Sequence, residues 1–487
     1  MAKAIMIQGT MSNVGKSYVT AGLLRVFMQD GLKAAPFKSQ NMALNSFVTN
    51  EGLEMGRAQV MQAEAAGIEP SADMNPILLK PTTDVGSQVI VNGKAIGNMR
   101  AVDYFKHKQS LIPQIMSAYN RLSEKYDVIV IEGAGSPAEI NLKKNDIVNM
   151  GMAQMAKSPV LLVGDIDRGG VFAQLTGTYM LLEENEKKYI KGFVMNKFRG
   201  DKMILEPGIK MLEDICPVPV TGVLPYTPLD IDDEDSLSDR LGKKQTDEKN
   251  IFICVIKLPR ISNFTDFNML DSVDGCEVRY VDNGKELWDA DCIIIPGTKN
   301  TIADMEWLKE RKLDRMIRLM NGEGCPVVGI CGGFQMLGRK ITDDMGVEGE
   351  IKNINGLGLI DAETVMQSEK TCINGSKTLD GISGLFSVLN GSMAKGYEIH
   401  AGVTKVGDKE VICSGKNNVF GTYLHGLFDK KEFLNKFLNV LSAETGKKIS
   451  ADFSYETVKE REYDKLADMV RENMDMQAVY RILGKGM

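Results

Sequence analysis

No apolar run in this sequence is long enough to span a bilayer, which argues against an inserted segment. The opening Met1-Ala2-Lys3-Ala4-Ile5-Met6-Ile7 passes straight into a strand pattern, without the apolar core and small-residue cleavage site of a secretory leader, so a cytoplasmic protein is expected. Basic residues are not in surplus: 58 Lys and Arg stand against 65 Asp and Glu, a formal charge of -7, which speaks against a nucleic-acid partner. The eight cysteines show no paired CxxC spacing, so neither a disulfide framework nor a zinc ribbon is expected, only reduced and mostly buried thiols. Histidine is scarce, with three in 487 residues, and any nucleophile that needs an imidazole has few to choose from.

What is present is an α/β rhythm in two instalments. Apolar, β-branched runs at Ala4 to Gln8, Tyr126 to Glu132, Pro159 to Asp165, Ile190 to Asn196 and Val218 to Leu224 alternate with helical patterns. Their continuous apolar character predicts a parallel sheet buried on both faces. An alternating stretch around Asn92-Gly93 predicts a hairpin insertion. Apolar residues then thin out over an acidic and polar stretch, 229–249, read as a linker. The rhythm resumes at Ile251 to Ile256, Glu277 to Val281, Cys292 to Ile295 and Val327 to Ile330. The expected domains are therefore 1–228 and 250–440, with a helical segment, 441–487, packed on the second domain.

Cys331 ends an apolar strand in Val327-Val328-Gly329-Ile330-Cys331-Gly332-Gly333. A Gly-flanked strand-to-helix turn pushes a nucleophile out of a sheet and lets the next amide face an oxyanion. The alternative is a small buried thiol in a tight turn. As base, His425 in Tyr423-Leu424-His425-Gly426 is preferred over His400 in Glu398-Ile399-His400-Ala401, since both close strands, while His107 lies among charges. A second oxyanion donor is expected from Gly297 and Thr298, beside the Gly332 amide.

A separate site is expected at Gly9-Thr10-Met11-Ser12-Asn13-Val14-Gly15-Lys16-Ser17, after the first strand. Gly9, Asn13 and Gly15 would shape a loop of inward amides, Lys16 would meet phosphates, and Ser17 would offer a hydroxyl to a metal. Five residues, not the usual four, separate Gly9 from Gly15. Lys38 is a second candidate cation, with a lone surface lysine as the alternative. Glu132, at the carboxyl edge of its strand, is a candidate Mg2+ ligand. Asp165 and Asp167 end the next strand and would either touch ligand or cap the following helix.

Taken together, Gln8 to Ser17, Phe37 to Met42, Glu132 to Glu139, Asp165 to Phe172, Leu258 to Asp266, Pro296 to Asn300 and Gly329 to Gln335 resemble, in that order, the cobyric acid synthase family of glutamine-dependent amidating enzymes. The resemblance implies an N-terminal P-loop domain similar to dethiobiotin synthetase and a C-terminal domain similar to class I glutamine amidotransferases. It also implies ATP and Mg2+ as cofactors, and glutamine and a corrinoid as small-molecule substrates. The implied reaction is amidation of the b, d, e and g carboxylates of adenosylcobyrinic acid a,c-diamide, with Cys331 as nucleophile and His425 as base. Class I enzymes usually carry a Glu two residues after that His. Leu427 stands there, and the subfamily this chain resembles likewise lacks that Glu, so the group orienting His425 is left open.

Two neighbouring readings share part of this pattern: cobyrinic acid a,c-diamide synthase or a related ATP-dependent amidoligase, and a partition-type ATPase. In the latter Met11 would occupy the signature Lys position. Asn75 to Thr82 and the Asn92-Gly93 hairpin are read either as corrinoid contacts or as a rigid insertion. A homo-oligomer is left open.

Overall fold

The computed structural model describes residues 1–83, 86–229, 231, 250–449 and 455–484. Its first half is built on a six-stranded parallel sheet in the order Val220–Pro225, Ile190–Phe198, Val160–Asp165, Lys3–Gly9, Val128–Glu132, Ala34–Phe37. The first strand shows why the run is apolar throughout. Ala4 and Met6 enter one core cluster, Ile5 and Ile7 the cluster on the opposite face. Met6, Ile5 and Ile7 each contribute roughly 1.5–3 kcal/mol by leaving water.

The expected hairpin forms between Gly86–Val91 and Lys94–Arg100. Asn92 and Gly93 both take positive φ, 47° and 77°, as a two-residue turn with the twist of its strands requires. It joins Ile77–Thr83 and Gln40–Met42 in a four-stranded sheet, in which Ile77, Leu78, Leu79 and Lys80 are buried. Those four positions pack inside the protein.

The second half carries its own six-stranded sheet in the order Cys276–Val281, Ile251–Ile256, Cys292–Ile295, Val327–Ile330, Val419–Thr422, Cys413–Lys416, parallel except for the last pair. A long antiparallel ribbon, Glu363–Thr378 with Met393–Val406, stands beside it and pairs with Leu424–His425. The helix Lys431–Thr445 buries Phe433, Phe437 and Leu441 in this half's core.

The C-terminal helices do not follow that core. Tyr455–Asn473 and Met476–Gly484 were expected on the second domain, yet they pack on the first. The helix Lys16–Gln29 presents Gly22 outward, and Val470 and Leu466 fill the space there, so close that a Cβ on Gly22 would lie 2.6 Å from Val470 Cγ2. Val479 and Leu483 complete the cluster of Ile5, Ile7 and Leu23. Arg25 fixes the register through Asp464 at 2.9 Å and Glu460 at 2.6 Å. The physical reason is an uncovered apolar helix face in the first half, which the tail covers. Of the expected linker only Leu229 and Ile231 lie within the described residues, and Ile231 is buried against Ala21, Met61 and Leu466.

The two halves meet along Ser46–Val48 and Glu54–Gly56 on one side and the ribbon on the other. Asn374 Nδ2 donates to Val48 O (2.6 Å), and Phe47 packs edge-on against Tyr397. Buried Glu54 receives Lys80 at 2.9 Å and, from the other half, Lys370 at 2.7 Å. Burial pushes the Glu54 carboxyl up, but the two ammonium groups outweigh it and hold it well below the usual carboxylate range.

Candidate active sites

Strand register assembles the thiol site. Val327–Ile330 lies between Cys292–Ile295 and Val419–Thr422, with Ile295 opposite Gly329 and Ile330 opposite Thr422. The residues leaving those three strands, Pro296 to Thr298, Cys331, and Tyr423 to His425, are therefore neighbours. Cys331 stands at the entrance of the short helix Gly332–Leu337 with φ 52° and ψ −108°, a strained conformation for a non-glycine residue that projects the side chain from the sheet. A Cβ on Gly332 would lie 3.2 Å from Thr298 N, so the two expected oxyanion donors are adjacent. Ile261 and Thr298 pair through Ser262 N to Gly297 O and Lys299 N to Arg260 O, and the Thr298 amide has no acceptor among the described residues. Gly297 lies against the imidazole, since a Cβ there would sit 3.1 Å from His425 Cε1.

His425 is fully buried, and its Nδ1 is 2.6 Å from Asp266 Oδ2. Asp266 Oδ1 also accepts from Gly426 N (3.1 Å), a second contact that helps to fix the carboxylate. Burial drives the imidazole toward its neutral form, but the Asp266 carboxylate and the contact with the Cys331 sulfur reverse this and raise its pKa from 6.5 to about 10. Tyr397 stacks on the ring at 5.3 Å. Asp266 thus occupies the role left open by Leu427. It was missed because it lies 159 positions upstream of His425. The only signal was its place at the end of the Leu258 to Asp266 run.

His400 is engaged elsewhere. Its ring stacks on Tyr423 at 3.7 Å, with Nδ1 on Gly402 O (2.7 Å) and Nε2 toward Glu398 (3.3 Å). His107 lies on a surface helix beside Ser110. All eight cysteines are free, and burial raises the thiol pKa of Cys254, Cys276, Cys292, Cys325 and Cys413.

The second site forms where Lys3–Gly9 and its neighbours end. Gly15 has φ 92°, and a Cβ there would lie 2.2 Å from Asn196 Nδ2, which itself donates to Val14 O (2.8 Å). Only glycine fits this turn. Lys16 Nζ reaches Met11 O (3.2 Å) and Gly135 O (3.4 Å), spanning the loop mouth. Phe37 pairs with Ile131, so the next residues come side by side, and Lys38 Nζ meets Glu132 Oε1 at 2.9 Å with both groups buried. Ser17 Oγ donates to the same Oε1 (3.0 Å), and Gln62 Nε2 to Oε2.

Gly9 begins the loop, and Asn13, at φ 61°, offers its carbonyl to Lys197 Nζ (2.6 Å). Lys197 pairs at 2.9 Å with Asp165, whose Oδ1 also accepts from Asp167 N (2.9 Å). Asp165 therefore ties its own turn to the phosphate loop through Lys197, while Asp167 pairs with surface Arg199. Gln62, Asn196 and Lys197 were not foreseen, because nothing local marks an amide or a cation that completes another segment's loop.

A buried polar seam joins the two sites. Asn263 Nδ2, three residues before Asp266, donates to Ser46 O (2.9 Å) and Tyr397 OH (2.7 Å), and Phe264 N donates to Asn45 Oδ1 (3.1 Å). Asn41 Nδ2 donates to Gln59 Oε1 (3.1 Å), and Gln62 reaches Glu132. Four polar atoms along this line, Asn263 Oδ1, Asn45 Nδ2, Gln59 Nε2 and Gln62 Oε1, are buried without a hydrogen-bond partner among the described residues.

No helix among the described residues is long and apolar enough to cross a membrane. Residues 5–238 match the family model for the CobQ/CobB/MinD/ParA nucleotide binding domain, and 252–433 that for the CobB/CobQ-like glutamine amidotransferase domain. The chain is 53% identical to cobyric acid synthase of Ruminiclostridium cellulolyticum, over 100% of this chain and 98% of that protein. It is 52% identical to cobyric acid synthase of Lachnoclostridium phytofermentans, over the whole of both. With the corresponding protein of a Thermoanaerobacter species it shares 49% identity over 99% of each.

Proposed function

The chain belongs to the cobyric acid synthase family, and from that membership and the geometry of its two sites we propose that it converts corrinoid side-chain carboxylates to amides, with nitrogen from glutamine and energy from ATP. Its substrate on this reading is adenosylcobyrinic acid a,c-diamide, amidated at b, d, e and g. The observation that carries the proposal is one chain holding a Cys331, His425, Asp266 constellation and a phosphate loop, linked by a buried polar seam.

At the thiol site, Cys331 attacks the side-chain amide carbon of glutamine. The oxyanion that forms lies between the amides of Gly332 and Thr298, with Gly297 leaving room for the imidazole. His425, held by Asp266, takes the thiol proton and delivers it to the departing nitrogen, so ammonia leaves and a thioester remains. Water activated by the same imidazole then releases glutamate.

A carboxylate does not react with ammonia at neutral pH, because its leaving group would be oxide. Transfer of the terminal phosphoryl group of ATP to it creates a better leaving group. Lys16 and Lys38 supply the positive charge that such a transfer needs. Among the described residues no group of three His, Cys, Asp or Glu side chains is placed to hold a metal ion alone. Ser17 Oγ and the Glu132 carboxylate, beside the unpartnered Gln62 Oε1, are hard oxygen donors, and they suit Mg2+ arriving with nucleotide phosphates. When bound, Mg2+ would neutralise phosphate charge.

Each unpaired buried polar atom costs about 1–3 kcal/mol. Four of them in a line suit a path whose passenger supplies the missing hydrogen bonds. Ammonia both donates and accepts, as the Asn263 and Gln62 oxygens and the Asn45 and Gln59 nitrogens need. Incubating the enzyme with the corrinoid, ATP, Mg2+ and amide-labelled glutamine should give a product carrying four labelled amides by mass spectrometry. A corrinoid of unchanged mass would overturn the substrate assignment, and free competition by unlabelled ammonium would overturn the sheltered path.

A further inference from the structure

An amide stabilises an oxyanion well only when its direction is fixed before the charge appears, so the Thr298 peptide has to be held in place. The loop is bridged to the neighbouring segment on both sides of that residue, Ser262 N donating to Gly297 O (2.9 Å) and Lys299 N to Arg260 O (3.0 Å). The Thr298 side chain is tied down as well. Its hydroxyl oxygen lies 2.5 Å from Asp304 Oδ2 and 3.1 Å from Arg260 O. One hydroxyl proton serves one acceptor, and the shorter contact, to a carboxylate, takes it. Thr298 Oγ1 in turn accepts from Asn300 N (3.2 Å). Threonine is β-branched, so fixing Oγ1 leaves χ1 little freedom and carries the constraint back to the backbone that bears the amide.

Asp304 exerts this hold from a regular element. It is fully buried in the first turn of the helix Thr301–Glu310. Arg260 N also reaches its Oδ2 (3.2 Å), and Arg260 Nη1 its Oδ1 (3.3 Å). With donors on both oxygens only a carboxylate satisfies the arrangement, because an amide nitrogen in place of either oxygen would face a donor. The helix already has its cap in Asn300, whose Oδ1 accepts from Ala303 N (3.0 Å), so this buried charge is not needed for that purpose. What it joins is the oxyanion loop, through Thr298, and the Arg260 to Asp266 segment, whose far end holds His425.

On the reading of the thiol site given above, we propose that Asp304 is a positioning residue for glutamine hydrolysis. It clamps Thr298 and Arg260 together, and so aims the Thr298 amide at the oxyanion formed when Cys331 attacks.

Thr298→Val removes the hydroxyl and keeps the shape. Its kcat for glutamine hydrolysis should fall about 10- to 100-fold, less than the 10²- to 10³-fold that follows outright loss of an oxyanion donor, with KM within about threefold. Thr298→Ser, which keeps a hydroxyl, should stay within about fivefold of wild type. Asp304→Asn should match Thr298→Val, and the double variant should be slower than either by no more than about threefold, since both changes break the same contact. An aldehyde analogue of glutamine reads the oxyanion directly. The Cys331 sulfur adds to its carbonyl carbon, the π electrons pass to the oxygen, and the thiol proton goes to His425. The inhibition constant of that aldehyde should rise about 10- to 100-fold in Thr298→Val and in Asp304→Asn, a change that a merely structural role would not produce. Unchanged glutamine turnover in Thr298→Val, multiplied losses in the double variant, or an unmoved inhibition constant would each overturn the role of Asp304 and leave the thiol site standing. A wild type that does not hydrolyse glutamine would overturn both together.

Discussion

Replacing Asp266 with Asn tests the reading of the thiol site most directly. The change keeps the shape of the side chain but removes the charge 2.6 Å from His425 Nδ1. A buried hydrogen bond to a charged group contributes about 1.5–3 kcal/mol, or roughly 10- to 150-fold in rate if all of it is felt in the transition state. An Asn amide can also turn its nitrogen toward the ring and favour the wrong tautomer, which in comparable triads costs about 10⁴-fold. Glutamine hydrolysis by Asp266→Asn should therefore fall by between about 10-fold and about 10⁴-fold. Amidation driven by added ammonium should stay within a factor of about two, since phosphoryl transfer does not use this residue.

The same contact predicts a pH signature. The imidazole pKa is raised on folding from 6.5 to about 10, so its stabilising contribution is complete below 6.5 and disappears as pH rises through about 10. The melting temperature of the Asn variant should lie furthest below wild type below about pH 6.5, and the gap should narrow as pH rises and close above about pH 10. Unimpaired glutamine turnover in the variant, or a gap that widens with pH, would refute the orienting role of Asp266.

Cys331→Ala should eliminate glutamine use and leave ammonium-dependent amidation intact, as followed by product mass with each nitrogen source. Lys38→Met should remove amidation with either nitrogen source and leave glutamine hydrolysis measurable, because it unpairs Glu132 beside the phosphate loop and leaves the thiol site untouched. Gly15→Ala places a Cβ 2.2 Å from Asn196 at φ 92° and should abolish ATP binding by calorimetry, with a strain cost of about 1–3 kcal/mol. Leu466→Ala should destabilise the first half by about 2–5 kcal/mol, because the tail packs there, and chemical denaturation should show that transition moving first.

The sequence marked those features that a few consecutive residues decide. The phosphate loop, the Cys331 elbow and the Asn92-Gly93 turn each depend on backbone angles that only certain residues adopt, so type and spacing revealed them in advance. The strands of both sheets were readable because burial on two faces demands an unbroken apolar run. Tertiary structure alone decided which distant groups complete each site. Asp266 reaches His425, Gln62 reaches Glu132 and Lys197 reaches Asn13 through strand order and register, and no local pattern encodes these. The tail illustrates the same limit. Its amphipathic pattern announced helices that must bury an apolar face, but the vacancy around Gly22 that receives them exists only once the helix Lys16–Gln29 is folded on its sheet, because a complementary surface is made by packing rather than by any one segment.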